Sequence, residues 1–210
     1  MENQNTKGFT LLELIVVVAI IGAIAAAGIP NFLTWSADRK VRSANDQVAG
    51  LITRLNTQTQ RGVFPFVQLS IGPQDDGSIL IEARGKNKGS INTVLNAGGN
   101  LACNIDDNDY WTVTLANFTV ADISAHFENL SAVCFSKNAD DYMTIGDIED
   151  NEDNPLQTDE GVDIVNYIIF CSNELLCNTT PAMPAYMVVW SIFGNVTKFK
   201  YNSNDEWIRQ

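Results

Sequence analysis

Histidine is almost absent: His126, in SAHFENL, is the only one in 210 residues. No G-x-S-x-G elbow, glycine-rich phosphate loop or metal-ligand pair accompanies it. The usual constellations for nucleophilic, phosphoryl or metal-assisted chemistry are therefore missing. His126 reads as a structural or surface residue, and the chain as a non-enzyme. Bases are scarce too: Lys plus Arg number 13 against 25 Asp plus Glu, a net charge of −12. They are scattered, with Arg39, Lys40 and Arg42 in one place and Lys198 and Lys200 in another. So acidic a body repels phosphate and offers no broad basic face, which argues against nucleic acid as a partner. No repeat and no Ser/Gly linker divides the chain, so one domain of roughly 150 residues is expected behind the N-terminal segment.

Charge is missing most completely from Phe9 to Ile29, in KGFTLLELIVVVAIIGAIAAAGI, where Glu13 is the only ionisable side chain. At about 1.5 Å per residue this run spans roughly 30 Å, the hydrocarbon thickness of a bilayer. A carboxylate that deep in lipid costs at least ~2–3 kcal/mol, so Glu13 needs a partner or a proton. A secretory signal would place its cleavage site after the apolar run. Here a short polar leader, MENQNTKG, comes first, and no A-x-A-like site follows cleanly.

That order resembles the prepilin leader of type IV pilins and type II secretion pseudopilins, closely so over residues 7–30. The resemblance implies that a prepilin peptidase cuts between Gly8 and Phe9 and N-methylates Phe9. It places Glu13 where the family carries the acid that sets assembly register, and Pro30 where it carries a helix-kinking proline. Cleavage would leave a cation on Phe9, one helical turn from Glu13. In a stack of such helices, Glu13 can meet the amino terminus of a neighbouring subunit. A pair desolvated in lipid is worth far more than one in water, and an unpaired member is penalised. An ordinary single-pass anchor, the alternative reading, would gain nothing from the acid.

The resemblance further implies a single pass through the bacterial inner membrane with the C-terminal domain periplasmic, then a place in a pilus or pseudopilus. The partners it implies are other pilin or pseudopilin subunits, the prepilin peptidase, the inner-membrane assembly platform and the lipid bilayer. Arg39, Lys40 and Arg42 conflict with this orientation, because the positive-inside rule would keep their side in the cytoplasm. The resemblance outweighs them.

Beyond Pro30 the helix is expected to continue, with apolar residues at Val41, Ala44, Val48, Leu51, Ile52 and Leu55 on one face and a stop at Gly62. From Val63 the period changes. VFPFVQLSI, SILIEAR, YWTVTLANF, VNYIIF, YMVVWSIF and VTKFKYN read as strands, the last two joined by a two-residue Gly194-Asn195 hairpin connection. The expected fold is α+β, a helix of about fifty residues packed on a mainly antiparallel sheet. Its divisions are a leader at 1–8, a transmembrane or fibre-core helix at 9–30, an amphipathic continuation at 31–62 and a β-rich body at 63–210. RKVRSANDQVAGLITRLNTQTQRGV narrows the resemblance to GspH/FimT-like minor pilins, although Arg54-Leu55 stands where an Ala-Arg pair is usual.

Four cysteines, Cys103, Cys134, Cys171 and Cys177, form an even set in an exported domain and favour disulfides. CSNELLC allows a small Cys171–Cys177 loop, with Cys103 and Cys134 as the second candidate pair. Zinc is the rival, but C-x₅-C without a nearby histidine is a poor ligand pattern. Between Asn138 and Asp163 lie ten acids and no base. They read as a solvated loop. Calcium around Asp150 and Asp153 is the weaker alternative, and NIDDNDY at 104–110 a second one, neither with an EF-hand pattern. No cofactor is expected. The functional expectation is a structural subunit, a minor pilin or pseudopilin, with a fibre-tip adhesin or binding module on the same anchor as the alternative.

Overall fold

The computed structural model describes residues 10–105, 108–126, 130–138, 141–146, 156–157, 163–164, 166–172 and 177–210. The long apolar-then-amphipathic run forms α1 (Leu11–Gln60), and the chain divides into two compact units, Met1–Ala37 and Asp38–Gln210. The helix ends as the sequence predicts. Gly62 adopts φ +71°, a conformation strained for residues with a Cβ. Its N–H donates to the Thr59 carbonyl, and the Val63 N–H reaches back to the Gln58 carbonyl. This pair of bonds satisfies the last turn as a Schellman cap.

Within the second unit, the helix stripe Val41, Ala44, Val48, Leu51, Ile52 and Leu55 is buried throughout. It joins a core built from two sheets. The first contains β1 (Phe66–Pro73), β2 (Ile79–Lys86), β3 (Val113–Val120), β5 (Ser131–Ser136) and β6 (Met143–Ile145), in the order β3-β2-β1-β5-β6. The second contains β4 (Ser124–Ala125), β9 (Tyr167–Cys171), β10 (Ala185–Trp190), β11 (Val196–Tyr201) and β12 (Trp207–Arg209), in the order β12-β11-β10-β9-β4. A separate pair joins β7 (Leu156–Gln157) to β8 (Asp163–Ile164). All of these pairings are antiparallel. The fold is α+β, as expected.

Alternation along the strands explains why both sheets are buried on two sides. Val67, Leu69 and Ile71 of β1, Ile168 and Phe170 of β9, and Tyr186, Val188 and Trp190 of β10 face the α1 stripe. The intervening Ile169, Cys171, Ala185 and Met187 face a second cluster with Phe199, Tyr201 and Trp207. Phe66, Ala132 and Cys134 face a third, on the outer side of the first sheet, with Ile91, Cys103 and Trp111. Ile91 belongs to α2 (Lys88–Asn96), whose N-cap Asn87 accepts the Ser90 N–H at 2.9 Å.

Several elements depart from the sequence reading. Neither α2 nor β5 was expected, and β5 is an inner strand of its sheet. The β10–β11 connection is longer than two residues. Pairing stops at Trp190↔Val196, and the Gly194 N–H closes a turn onto the Ser191 carbonyl at 2.7 Å. Ile192 and Phe193 therefore lie in the loop, exposed, rather than in a strand. The turn needs glycine twice over. Gly194 has φ +71°, and a Cβ there would lie 2.7 Å from the Asn56 Cβ of α1.

Candidate functional site

Over its described residues the first unit is a helix with no buried face. Leu12, Ile15, Val18, Ile21, Ile24, Phe32 and Trp35 are all exposed although they point in different directions around α1. A helix apolar on every side belongs in a membrane or among like helices. No single helix among the described residues is long and apolar enough to cross a membrane alone. The bent pair Leu11–Ala26 and Asn31–Gln60 passes together by length and composition. The break between them contains Pro30. Near the C-terminal end of the apolar run, Phe32 and Trp35 pack with centroids 5.8 Å apart and ring planes tilted by 40°, a pair that the sequence reading did not single out.

Glu13 lies in the first turn, where its backbone N–H donates to Thr10 Oγ1 at 3.2 Å. Thr10 is thus the N-cap and Glu13 the N3 residue of a T-x-x-E start, where a carboxylate also favours the positive end of the helix dipole. Gly8 and Phe9, the expected cleavage and methylation positions, lie outside the described residues.

In the second unit the acids of α1 meet bases from elsewhere. Asp38 accepts from the Tyr186 hydroxyl at 2.9 Å and from Lys200 at 3.2 Å, and Asp46 pairs with Lys198 at 2.7 Å. Arg42 adds a longer contact to Asp46, and Lys40 pairs with Asp122 at 2.7 Å. Lys40, Lys198 and Lys200 are therefore spent on fixing strands and loops to the helix, a pairing that composition alone could not show. Lys200 is held protonated above the ordinary lysine range, first by its contact with the Tyr186 hydroxyl and then by Asp38. Burial is the largest cause raising the Tyr186 phenol. Asp122 is held below the usual carboxylate range by its hydrogen bond to Lys40.

Both candidate disulfides are present. Cys103–Cys134 ties the segment after α2 to β5, with Cα atoms 5.7 Å apart, and Cys171–Cys177 closes the short loop after β9 at 5.5 Å. His126 sits beside the second bridge. Its ring Nδ1 lies 3.2 Å from the Cys177 carbonyl, and its backbone N–H donates to the Ile169 carbonyl. No group of three or more His, Cys, Asp or Glu able to hold a metal occurs among the described residues. Most of the acidic tract, including Asp150 and Asp153, lies outside them, as do Asp106 and Asp107 of NIDDNDY.

Residues 3–29 match the prokaryotic N-terminal methylation motif. Three relatives extend the likeness. The type IV major pilin protein PilA of Myxococcus xanthus (strain DK1622) is 47% identical over 51 residues, which cover 24% of this chain and 23% of that protein. The fimbrial protein of Moraxella nonliquefaciens is 43% identical over 56 residues, covering 27% and 36%. The fimbrial protein EcpC of Eikenella corrodens is 28% identical over 106 residues, 47% of this chain and 69% of that protein. The chain thus spans about a quarter to a third of the first two relatives. No solved structure matches. The motif and these relatives support a type IV pilin reading of the N-terminal segment.

Proposed function

We propose that this chain is a structural subunit of a type IV pilus or a related pseudopilus, and within it a minor subunit. The observation that carries the reading is a helix apolar on every side with one acid, Glu13, in its first turn and inside the methylation motif. A prepilin peptidase cuts after Gly8 and methylates Phe9. The helix is held in the inner membrane, with Phe32 and Trp35 at its periplasmic interface. It then passes through the assembly platform into the fibre core. Pro30 softens the helix there, since it donates no backbone N–H. The resemblance of residues 39–63 to GspH/FimT-like proteins supports the minor-subunit reading.

Glu13 separates two accounts of its role. Glu13→Gln keeps a residue suited to the N3 position but removes the charge, whereas Glu13→Leu removes both. If the carboxylate pairs with the amino terminus of a neighbouring subunit, both variants are processed and remain in the membrane, yet both are depleted from sheared fibres. Normal incorporation of Glu13→Gln would reduce Glu13 to a helix cap and sink the charge-pairing account.

A further inference from the structure

On the outer face of the first sheet, beside the layer formed by α2 and Trp111, lies a cleft of about 400 Å³. It is lined by Glu82, Arg84, Trp111, Thr112, Val113 and Thr114. We propose that this cleft binds a neutral ligand carrying vicinal hydroxyls, a sugar or a similar polyol.

Glu82 and Arg84 stand two residues apart on β2 and so share a face. Their side chains are only 14% and 13% exposed, and they pair at 2.5 Å. The pair is not saturated. Arg84 gives one N–H to Glu82 Oε2 and one to the Ile105 carbonyl. A guanidinium has five donors, so several N–H groups and Glu82 Oε1 have no partner among the described residues. The Thr114 hydroxyl, at the exposed rim, has no internal hydrogen bond among them either.

The walls, by contrast, are fixed. The Thr112 hydroxyl donates to the Gly85 carbonyl and accepts the Asn87 N–H. The Trp111 indole donates to the Asn104 carbonyl at 2.7 Å and stacks on Phe66 at 5.6 Å. Trp111 and Thr112 are thus held in place before any ligand arrives, which cuts the entropic cost of ordering these two walls on binding.

Charge selects the ligand class. Arg84 opposes a metal cation, and Glu82 opposes a simple anion. What remains is an acceptor oxygen beside a fork of donors, both largely but not wholly withdrawn from water. A vicinal diol offers one hydroxyl to Glu82 Oε1 and one oxygen to the guanidinium, so it satisfies both groups at once. The cleft volume falls within the roughly 300–1,000 Å³ usual for small-molecule sites.

The test uses full-length protein, labelled with ¹⁵N-arginine, in a detergent without a sugar head group. Methyl α-D-glucopyranoside and methyl α-D-mannopyranoside are the probes, with 1,3-propanediol and sulfate as controls. The Arg84 Nε–H signal is expected to shift saturably with at least one pyranoside and with neither control. Glu82→Gln is expected to weaken that binding about tenfold or more, the loss of a charge-assisted hydrogen bond. Thr114→Ala, whose hydroxyl holds nothing in the fold, should weaken it severalfold, and this variant decides the matter if Glu82→Gln does not fold. Absence of a saturable shift with both sugars overturns the proposal. So does an affinity unchanged in Thr114→Ala and any folded Glu82→Gln, or sulfate binding more tightly than sugar.

Discussion

Removing the two disulfides one at a time should cost different amounts, and the structure sets the difference. Cys103–Cys134 closes a loop of sequence separation 31, and Cys171–Cys177 one of separation 6. In the chain-entropy account, cross-linking restricts the unfolded chain more the longer the loop. It gives about 3.7 kcal/mol for the first bridge and about 2.2 kcal/mol for the second. The difference, about 1.5 kcal/mol, depends only on the ratio of loop lengths. For a body of this size, that corresponds to a melting temperature lower by roughly 3–6 °C in Cys103→Ala/Cys134→Ala than in Cys171→Ala/Cys177→Ala. Urea unfolding followed by the fluorescence of Trp111, Trp190 and Trp207, all buried, measures it directly. Alanine replacement also removes packing, because Cys103, Cys134 and Cys171 are buried. Wild-type protein unfolded under reducing conditions, compared with each pair of alanines, separates packing from cross-linking. Equal costs, or a larger cost for the shorter loop after that correction, would refute the unfolded-chain reasoning.

Three further outcomes are expected. Mass spectrometry of protein from the membrane should find a chain that begins with methylated Phe9, whereas an intact Met1 or a cut beyond the apolar run would contradict the leader reading. Gly194→Ala should destabilise more than Gly62→Ala in thermal melts. Both positions have φ +71°, costing about 1–2 kcal/mol with a Cβ present, but only Gly194 also presses on Asn56, and equal losses would show that the helix gives way. Alkaline melts should show stability draining away, since Lys200 and Tyr186 both hold their protons more tightly when folded. Their contribution is complete below the ordinary lysine and tyrosine values and is lost as pH rises through the folded ones. Tyr186→Phe, which removes the phenol and the contact that most raises Lys200, should flatten that decline, and an unchanged alkaline profile would refute the assignment.

What the sequence revealed follows from how far each signal reaches along the chain. The stripe Val41 to Leu55 and the stop at Gly62 are local, periodic signals, and both appear as expected. Both cysteine pairs formed, although spacing alone left a rival open. The inner strand β5 escaped notice because SAVCFS is short and half small residues, and its place is fixed by pairing with β1 more than fifty residues earlier in the chain. The matching of Asp38 and Asp46 to Lys200 and Lys198 is non-local in the same way: separations of 162 and 152 residues leave no trace in composition. Asn45 was passed over because its neighbours make the stripe look uniformly apolar. It is fully buried, and neither atom of its amide has a partner. An unpaired amide in that position costs stability of order 1–3 kcal/mol.

The way α1 is held in the second unit has a mechanical consequence. From Val41 to Leu55 its contacts run along the helix, with Tyr186 and Lys200 holding Asp38 and Lys198 holding Asp46 at the flank. A pull applied at Asp38 along the helix axis would load these contacts together, in shear. The same pull directed sideways would open them one after another, like a zipper. Because interlocked side chains resist sliding collectively and peeling singly, the attachment is strong along one direction and weak across it. A helix attached this way hands an axial load to both sheets through many contacts at once, whereas a sideways load falls on one contact at a time.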